Sequence, residues 1–193
     1  MRLILSSCDF GHPKSADFIK ENLCKSLADC KVLFIPNEKA TSEKIKSGKY
    51  VSRLSAFGFQ KKNIYVFDAA EPDKFLNLEL DMIYVSGGNS FGTLKRIRDA
   101  GFADAIVDYV HSGVVYVGGS AGAHIATANI AHVSKYDVDT CGLCDFSGLG
   151  LYSGILICHY SDARKQDLEQ LQTEGRYHVK ALRDEDSVLI REE

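Results

Sequence analysis

The chain has 193 residues, 23 of them lysine or arginine and 26 aspartate or glutamate, giving a formal net charge of −3. With 45 % apolar and 25 % charged residues it reads as a globular chain, not a disordered, collagenous or coiled-coil one, and its length suits one domain over 1–193. Mild acidity without a basic stripe argues against a nucleic-acid partner. The apolar runs stop well short of the roughly 20 residues that a membrane-crossing helix needs, so no membrane partner is expected. The start of the chain has only a three-residue apolar run, against about 7–15 apolar residues in a secretory leader. A cytoplasmic location follows, and Cys8, Cys24, Cys30, Cys141, Cys144 and Cys158 are expected as free thiols.

Elements alternate along the chain. A strand at 2–6 precedes a helix at 15–28, where Phe18, Ile19, Leu23 and Leu27 share one face and Ser15 caps the start. A strand at 32–35 and a helix at 42–57 follow, then a strand at 63–67, a helix at 72–80 and a strand at 82–85. Helices at 90–99 and 102–111 lead to a strand at 114–117 and a helix at 121–130. A glycine-bearing loop over 132–151, a strand at 155–158, a helix at 161–174 and a strand at 187–190 complete the pattern. Several strands are apolar on consecutive positions, as expected when both faces are covered. Strand–helix alternation predicts an α/β fold of three layers, a mainly parallel sheet with helices on both faces. Ligands in such folds bind beyond the carboxyl ends of the strands.

Two of those strand ends carry glycine-rich turns. Val114-Val115-Tyr116-Val117 runs into Gly118-Gly119-Ser120-Ala121-Gly122, a Gly-x-Ser-x-Gly between a strand and a helix, which is the setting of a nucleophile elbow. Small neighbours let the backbone fold back sharply at the serine. The helix that starts at Ala121 points free N–H groups and its positive dipole end at the same place, where an oxyanion would form. The earlier turn, Ser86-Gly87-Gly88-Asn89-Ser90-Phe91-Gly92, offers the Gly88 N–H as a second oxyanion donor beside that of Ala121. It lacks the Gly-Lys-Ser/Thr ending of a phosphate loop and the Gly-x-Gly-x-x-Gly of a dinucleotide site.

A serine nucleophile needs a base and an acid that orients the base. Of the six histidines, His159 stands directly after the 155–158 strand, at the carboxyl edge expected to hold Ser120. His12 lies in a loop, His111 ends a helix, His124 lies within the elbow helix, and His132 and His178 have no such placement. Asp137, Asp139 and Asp145 all fall between the elbow helix and the His159 strand and are candidates for the acid.

Gly87-Gly88-Asn89-Ser90-Phe91 and Gly119-Ser120-Ala121-Gly122-Ala123, followed by a strand ending in His159-Tyr160, resemble the peptidase E (aspartyl dipeptidase) family of serine peptidases, S51-like, with cyanophycinases as distant relatives. The similarity runs from about Met1 to Ile190. It implies a class I glutamine amidotransferase-like (flavodoxin-like) fold with serine at the elbow, no metal or cofactor, and cleavage of short peptides, dipeptides with N-terminal aspartate among them. By the resemblance Ser120 is the nucleophile, His159 the base, Gly88 and Ala121 the oxyanion hole, and Asp137, ahead of Asp139, the acid, with Asp145 supporting the loop. Asn89, Arg164 and Tyr160 are the candidate substrate contacts. The sequence departs from the family at Cys158, where many members have proline, at His124, often asparagine, and in a shortened segment after His159.

Cys141-Gly142-Leu143-Cys144 lacks the further ligands of a zinc site and the strand–helix setting of a redox motif. The second reading is a non-catalytic or differently specific binder of a small molecule or anion on the same fold. The partner expected in either case is small, with a homodimer left open.

Overall fold

The computed structural model describes residues 1–191. Six strands, β1 (Arg2–Ser6), β2 (Val32–Ile35), β3 (Ile64–Val66), β4 (Met82–Val85), β5 (Val115–Gly119) and β8 (Ser187–Arg191), form one sheet in the order β3-β2-β4-β5-β1-β8. Every neighbouring pair is parallel except β1 with β8, which closes one edge antiparallel.

Alternation along these strands builds two cores. Leu3, Leu5, Leu33, Ile35, Ile83, Val85 and Tyr116 face one side. There they meet α4 (Ser90–Asp99) and α5 (Ala103–His111) through Phe91, Leu94, Ile97, Ile106 and Val110. Ile4, Val32, Phe34, Met82, Tyr84, Val115 and Val117 face the other side, against Ile19 of α1 (Pro13–Glu21) and Tyr50 and Leu54 of α3 (Lys49–Phe57). Successive side chains of a strand point to opposite faces, so the consecutive apolar runs are what a sheet covered twice requires. The result is the three-layer α/β architecture with a mostly parallel sheet.

Several helices are shorter than their periodicity suggests. The first ends at Glu21, where the Asn22 side-chain amide donates back to the Phe18 carbonyl at 2.9 Å. The 42–57 stretch is cut by Gly48, whose φ of 76° separates α2 (Ser42–Lys46) from α3. The 72–80 stretch keeps only a single turn of 3₁₀-helix, Pro72–Phe75. Helix α6 (Ala121–Ile125) is also short: the Thr127 hydroxyl donates to the His124 carbonyl at 2.7 Å and takes an acceptor that a longer helix would use.

The last third holds the main topological correction. Strand β6 (Ile155–Ile157) is outside the large sheet and pairs in parallel with β7 (Val179–Ala181), joined through α7 (Lys165–Glu174). Val-Lys-Ala, three residues with a lysine at the centre, is too short to carry a strand signal. His159 therefore reaches the elbow from a separate small sheet, not from a sixth strand beside the fifth.

The elbow glycines are fixed by sterics. A Cβ on Gly118 would stand 2.5 Å from the Gly122 carbonyl oxygen, and one on Gly122 would stand 2.2 Å from the Val85 carbonyl oxygen. Backbone on neighbouring elements cannot retreat as a flexible side chain can. Gly122→Ala is therefore expected to destabilise the chain by about 3 kcal/mol, the upper end for overpacking; urea unfolding measures it.

Candidate active site

Ser120 sits where β5 turns into α6. Its φ of 46° and ψ of −105° lie outside the ordinary regions for a side-chain-bearing residue and cost of order 1–3 kcal/mol. The surroundings hold it there. The Ser120 N–H donates to the Ser6 carbonyl at 2.9 Å, and its own carbonyl accepts from the N–H groups of Ala123 and His124, each at 2.9 Å. A Cβ on Gly87 would lie 3.4 Å from the Ser120 Cβ, so the first glycine turn abuts the serine. Among the described residues, the amides of Gly88 and Ala121 make no hydrogen bond to a protein acceptor.

His159 follows β6 in a second strained conformation, φ 52°. Its N–H donates to the Ser7 hydroxyl at 2.7 Å, which ties it to the end of β1. The imidazole Nε2 lies 2.9 Å from the Ser120 hydroxyl oxygen and Nδ1 lies 2.6 Å from an Asp184 carboxylate oxygen. With an ionised Asp184 the network assigns the proton to Nδ1, leaving Nε2 as acceptor. Hydrogen bonding to His159 holds the Asp184 carboxyl below its usual range, against a smaller upward push from burial.

Asp137 is not the carboxylate beside the histidine. Its Oδ2 accepts from the Ser90 N–H at 2.9 Å, at the positive end of α4. Asp139 accepts from the amides of Cys141, Gly142 and Leu143 at 2.8–2.9 Å, and Asp145 accepts from the Ser147 amide and pairs with Arg98. All three carboxylates are engaged by nearby donors that fold the 132–151 loop. Asp184 escapes the expectation because it follows His159 in sequence. The signal for it lies in topology: β8 pairs antiparallel with β1, Ser187 opposite Ser6. The residues just before an antiparallel strand thus share an edge with the carboxyl ends of the parallel ones.

The three expected substrate contacts are engaged elsewhere. Asn89 caps α4, accepting from Gly92 N–H at 2.9 Å while its amide donates to the Val138 carbonyl at 2.9 Å. Arg164 donates to the Cys158 carbonyl and lies 4.0 Å above the Tyr136 ring. Tyr160 has the Arg183 guanidinium 5.6 Å from its ring centroid. The open cleft before Ser120 and His159, about 410 Å³, is lined instead by Ser7, Cys8, Asp9, Gly11, Arg53, Gly87 and Gly88. Asp9 and Arg53 carried no motif. Burial pushes the Asp9 carboxyl up, opposed by the Gly11 N–H, from which Oδ1 accepts at 3.1 Å, and by Arg53. Burial, aided by Asp184, raises the Cys8 thiol to about 11, so it is protonated at neutral pH.

His124 is fully buried and joins the two halves of the site. It lies 3.1 Å from the Ser90 hydroxyl through Nδ1, and its Nε2 accepts from the Cys158 N–H at 3.4 Å. Burial lowers its pKa to about 3. The unfolded chain, with an ordinary histidine value near 6.5, binds this proton first, so stability is lost as pH falls from about 6.5 towards 3. The limiting slope is about 1.4 kcal/mol per pH unit from this residue, and His132, also lowered by burial, adds to it. His124→Gln is expected to flatten the curve by about 1 kcal/mol per unit, whatever it costs at pH 7; urea unfolding from pH 7 to 5 measures it.

Among the described residues no helix is long and apolar enough to cross a membrane. The model of peptidase family S51 matches residues 3–193. An uncharacterized peptidase of Pasteurella multocida is 38 % identical over 84 residues, 42 % of this chain and 41 % of that protein. Peptidase E of Salmonella arizonae is 37 % identical over 84 residues, 43 % of this chain and 35 % of that protein. These alignments thus span less than half of the curated relatives' length. A crystal structure from Listeria monocytogenes EGD-e, of a protein provisionally named peptidase E, superposes with a TM-score of 0.76 at 25 % identity, over 98 % of this chain and 94 % of that one. The structure of a peptidase from an acI-B1 Actinobacterium shares the fold, with a TM-score of 0.62 at 16 % identity over 98 % and 83 % of the two chains. With the match running from the first strand to the last residue, the chain belongs to peptidase family S51.

Proposed function

We propose that this chain is a serine-type peptidase that hydrolyses short peptides, dipeptides with N-terminal aspartate among them. The observation that carries the reading is the unbroken relay from the Ser120 hydroxyl through the His159 imidazole to the Asp184 carboxylate, at 2.9 and 2.6 Å. A non-catalytic anion binder has no use for a histidine held in strain against the serine with a carboxylate on its far nitrogen.

In this reading His159 Nε2 takes the Ser120 proton as the oxygen attacks the scissile carbonyl. Asp184 keeps the imidazole in the correct tautomer and stabilises its cation. The amides of Gly88 and Ala121 receive the oxyanion. His159 then protonates the leaving amine, and water activated by the same nitrogen releases the acyl group. Ser120 and its neighbours do this without stored motion, because the strained backbone already presents the hydroxyl. The cleft's small volume favours short peptides, and Arg53 supplies a cation for a substrate carboxylate. A fluorophosphonate probe is expected to label the wild-type chain and not Ser120→Ala. Equal labelling of both would reject the assignment.

A further inference from the structure

A second use of the same imidazole is written into the cleft. Cys8 Sγ lies 3.9 Å from His159 Nδ1, on the side opposite the serine, and Nδ1 is 2.6 Å from Asp184 Oδ1. One ligand atom from each of Cys8, His159 and Asp184 lies within 4.8 Å of the other two. Cys8 is half-buried and the other two are exposed, so the cluster opens to solvent. Thiolate, imidazole and carboxylate are the donors zinc prefers, with bonds of about 2.0–2.3 Å; a tetrahedral centre then places its ligands about 3.3–3.6 Å apart. The sulfur–nitrogen pair is nearly at that spacing, and the nitrogen–oxygen pair reaches it once the hydrogen bond opens.

We propose that Cys8, His159 and Asp184 form an inhibitory site for a thiophilic divalent cation of the zinc class, with water as the fourth ligand. Cys8 gives up its proton to solvent and binds through the thiolate. His159 binds through the Nδ1 lone pair, so its single imidazole proton moves to Nε2. One proton is released in all, and nothing is oxidised or reduced. Nε2 then carries a hydrogen where the Ser120 proton has to go, and Asp184 no longer orients the ring. The cation therefore switches the base off without touching the serine. The inhibitory consequence rests on the serine-peptidase reading; the binding of the cation does not.

Cobalt and zinc added to the metal-free chain test the two parts separately. Cobalt is expected to give a thiolate charge-transfer band at one equivalent that zinc displaces. The band is lost in Cys8→Ser and retained in Cys141→Ser, the control for the other thiols. Zinc is expected to abolish peptide hydrolysis reversibly, a chelator restoring it. Cys8→Ser, measured against its own metal-free rate, should need at least about tenfold more zinc for half inhibition, as expected for loss of a ligand. The site is overturned if the band survives in Cys8→Ser, or if no band forms in the wild type. Its inhibitory role is overturned if zinc binds at Cys8 while hydrolysis continues. If no peptide is hydrolysed at all, the peptidase reading fails and the cobalt spectra still decide the site.

Discussion

Ser120→Ala is expected to lower kcat/KM on a panel of short peptides by about 10⁴–10⁶-fold, the range for removing a serine nucleophile whose partners act as a unit. The loss should appear in kcat with little change in KM, since the hydroxyl reacts and does not hold the ground-state substrate. The fold should survive, because the groups that fix the elbow are backbone: the Ser120 amide bonded to Ser6, the Ser120 carbonyl bonded to α6, and the glycines at 118 and 122. The hydroxyl's hydrogen bond is to a solvent-reachable His159. Unfolding free energy is therefore expected to stay within about 0.5 kcal/mol. A variant with unchanged turnover would place the chemistry elsewhere in the cleft.

The second large effect separates two carboxylates. Asp184→Asn is expected to lower kcat by about 10²–10⁴-fold: the amide can still touch Nδ1 but cannot hold the tautomer or the cation that forms on the ring. The lower end applies if water replaces the lost charge, which the 62 % exposure of the Asp184 side chain allows. Asp137→Asn should leave kcat within a few-fold. Its cost should appear in stability, about 1 kcal/mol, as the negative charge beside the Ser90 amide at the start of α4 is removed. Steady-state rates and urea unfolding on the same two variants decide between them. The reverse pattern, a crippled Asp137→Asn and an active Asp184→Asn, would remove Asp184 from the relay.

The stretch from 82 to 125 is the most legible part of the chain. Its strands are apolar on both faces, its elbow has room only for glycine at 118 and 122, and α4 carries its own cap in Asn89. Periodicity and turn chemistry are local properties, so they survive without neighbours. The ends of the other helices were less legible. Gly48, Asn22 and Thr127 each stop a helix through φ or through a side-chain hydrogen bond that competes with an otherwise regular pattern.

Sequence alone determined the three-layer plan and the turn at Ser120, because both follow from side-chain alternation or from small residues at a strand end; it also put His159 directly after a strand, though one that belongs to the separate small sheet. Tertiary structure alone brought a carboxylate to the His159 imidazole and set the cleft wall. Asp184, Asp9 and Arg53 converge on Ser120 from a turn before an antiparallel edge strand, a turn after β1 and the face of α3. No spacing rule links positions so far apart, since only the register of β8 on β1 and the packing of α3 on the sheet bring them together. The same register brings Cys8 and Asp184 to one imidazole nitrogen, a juxtaposition that 175 intervening positions conceal.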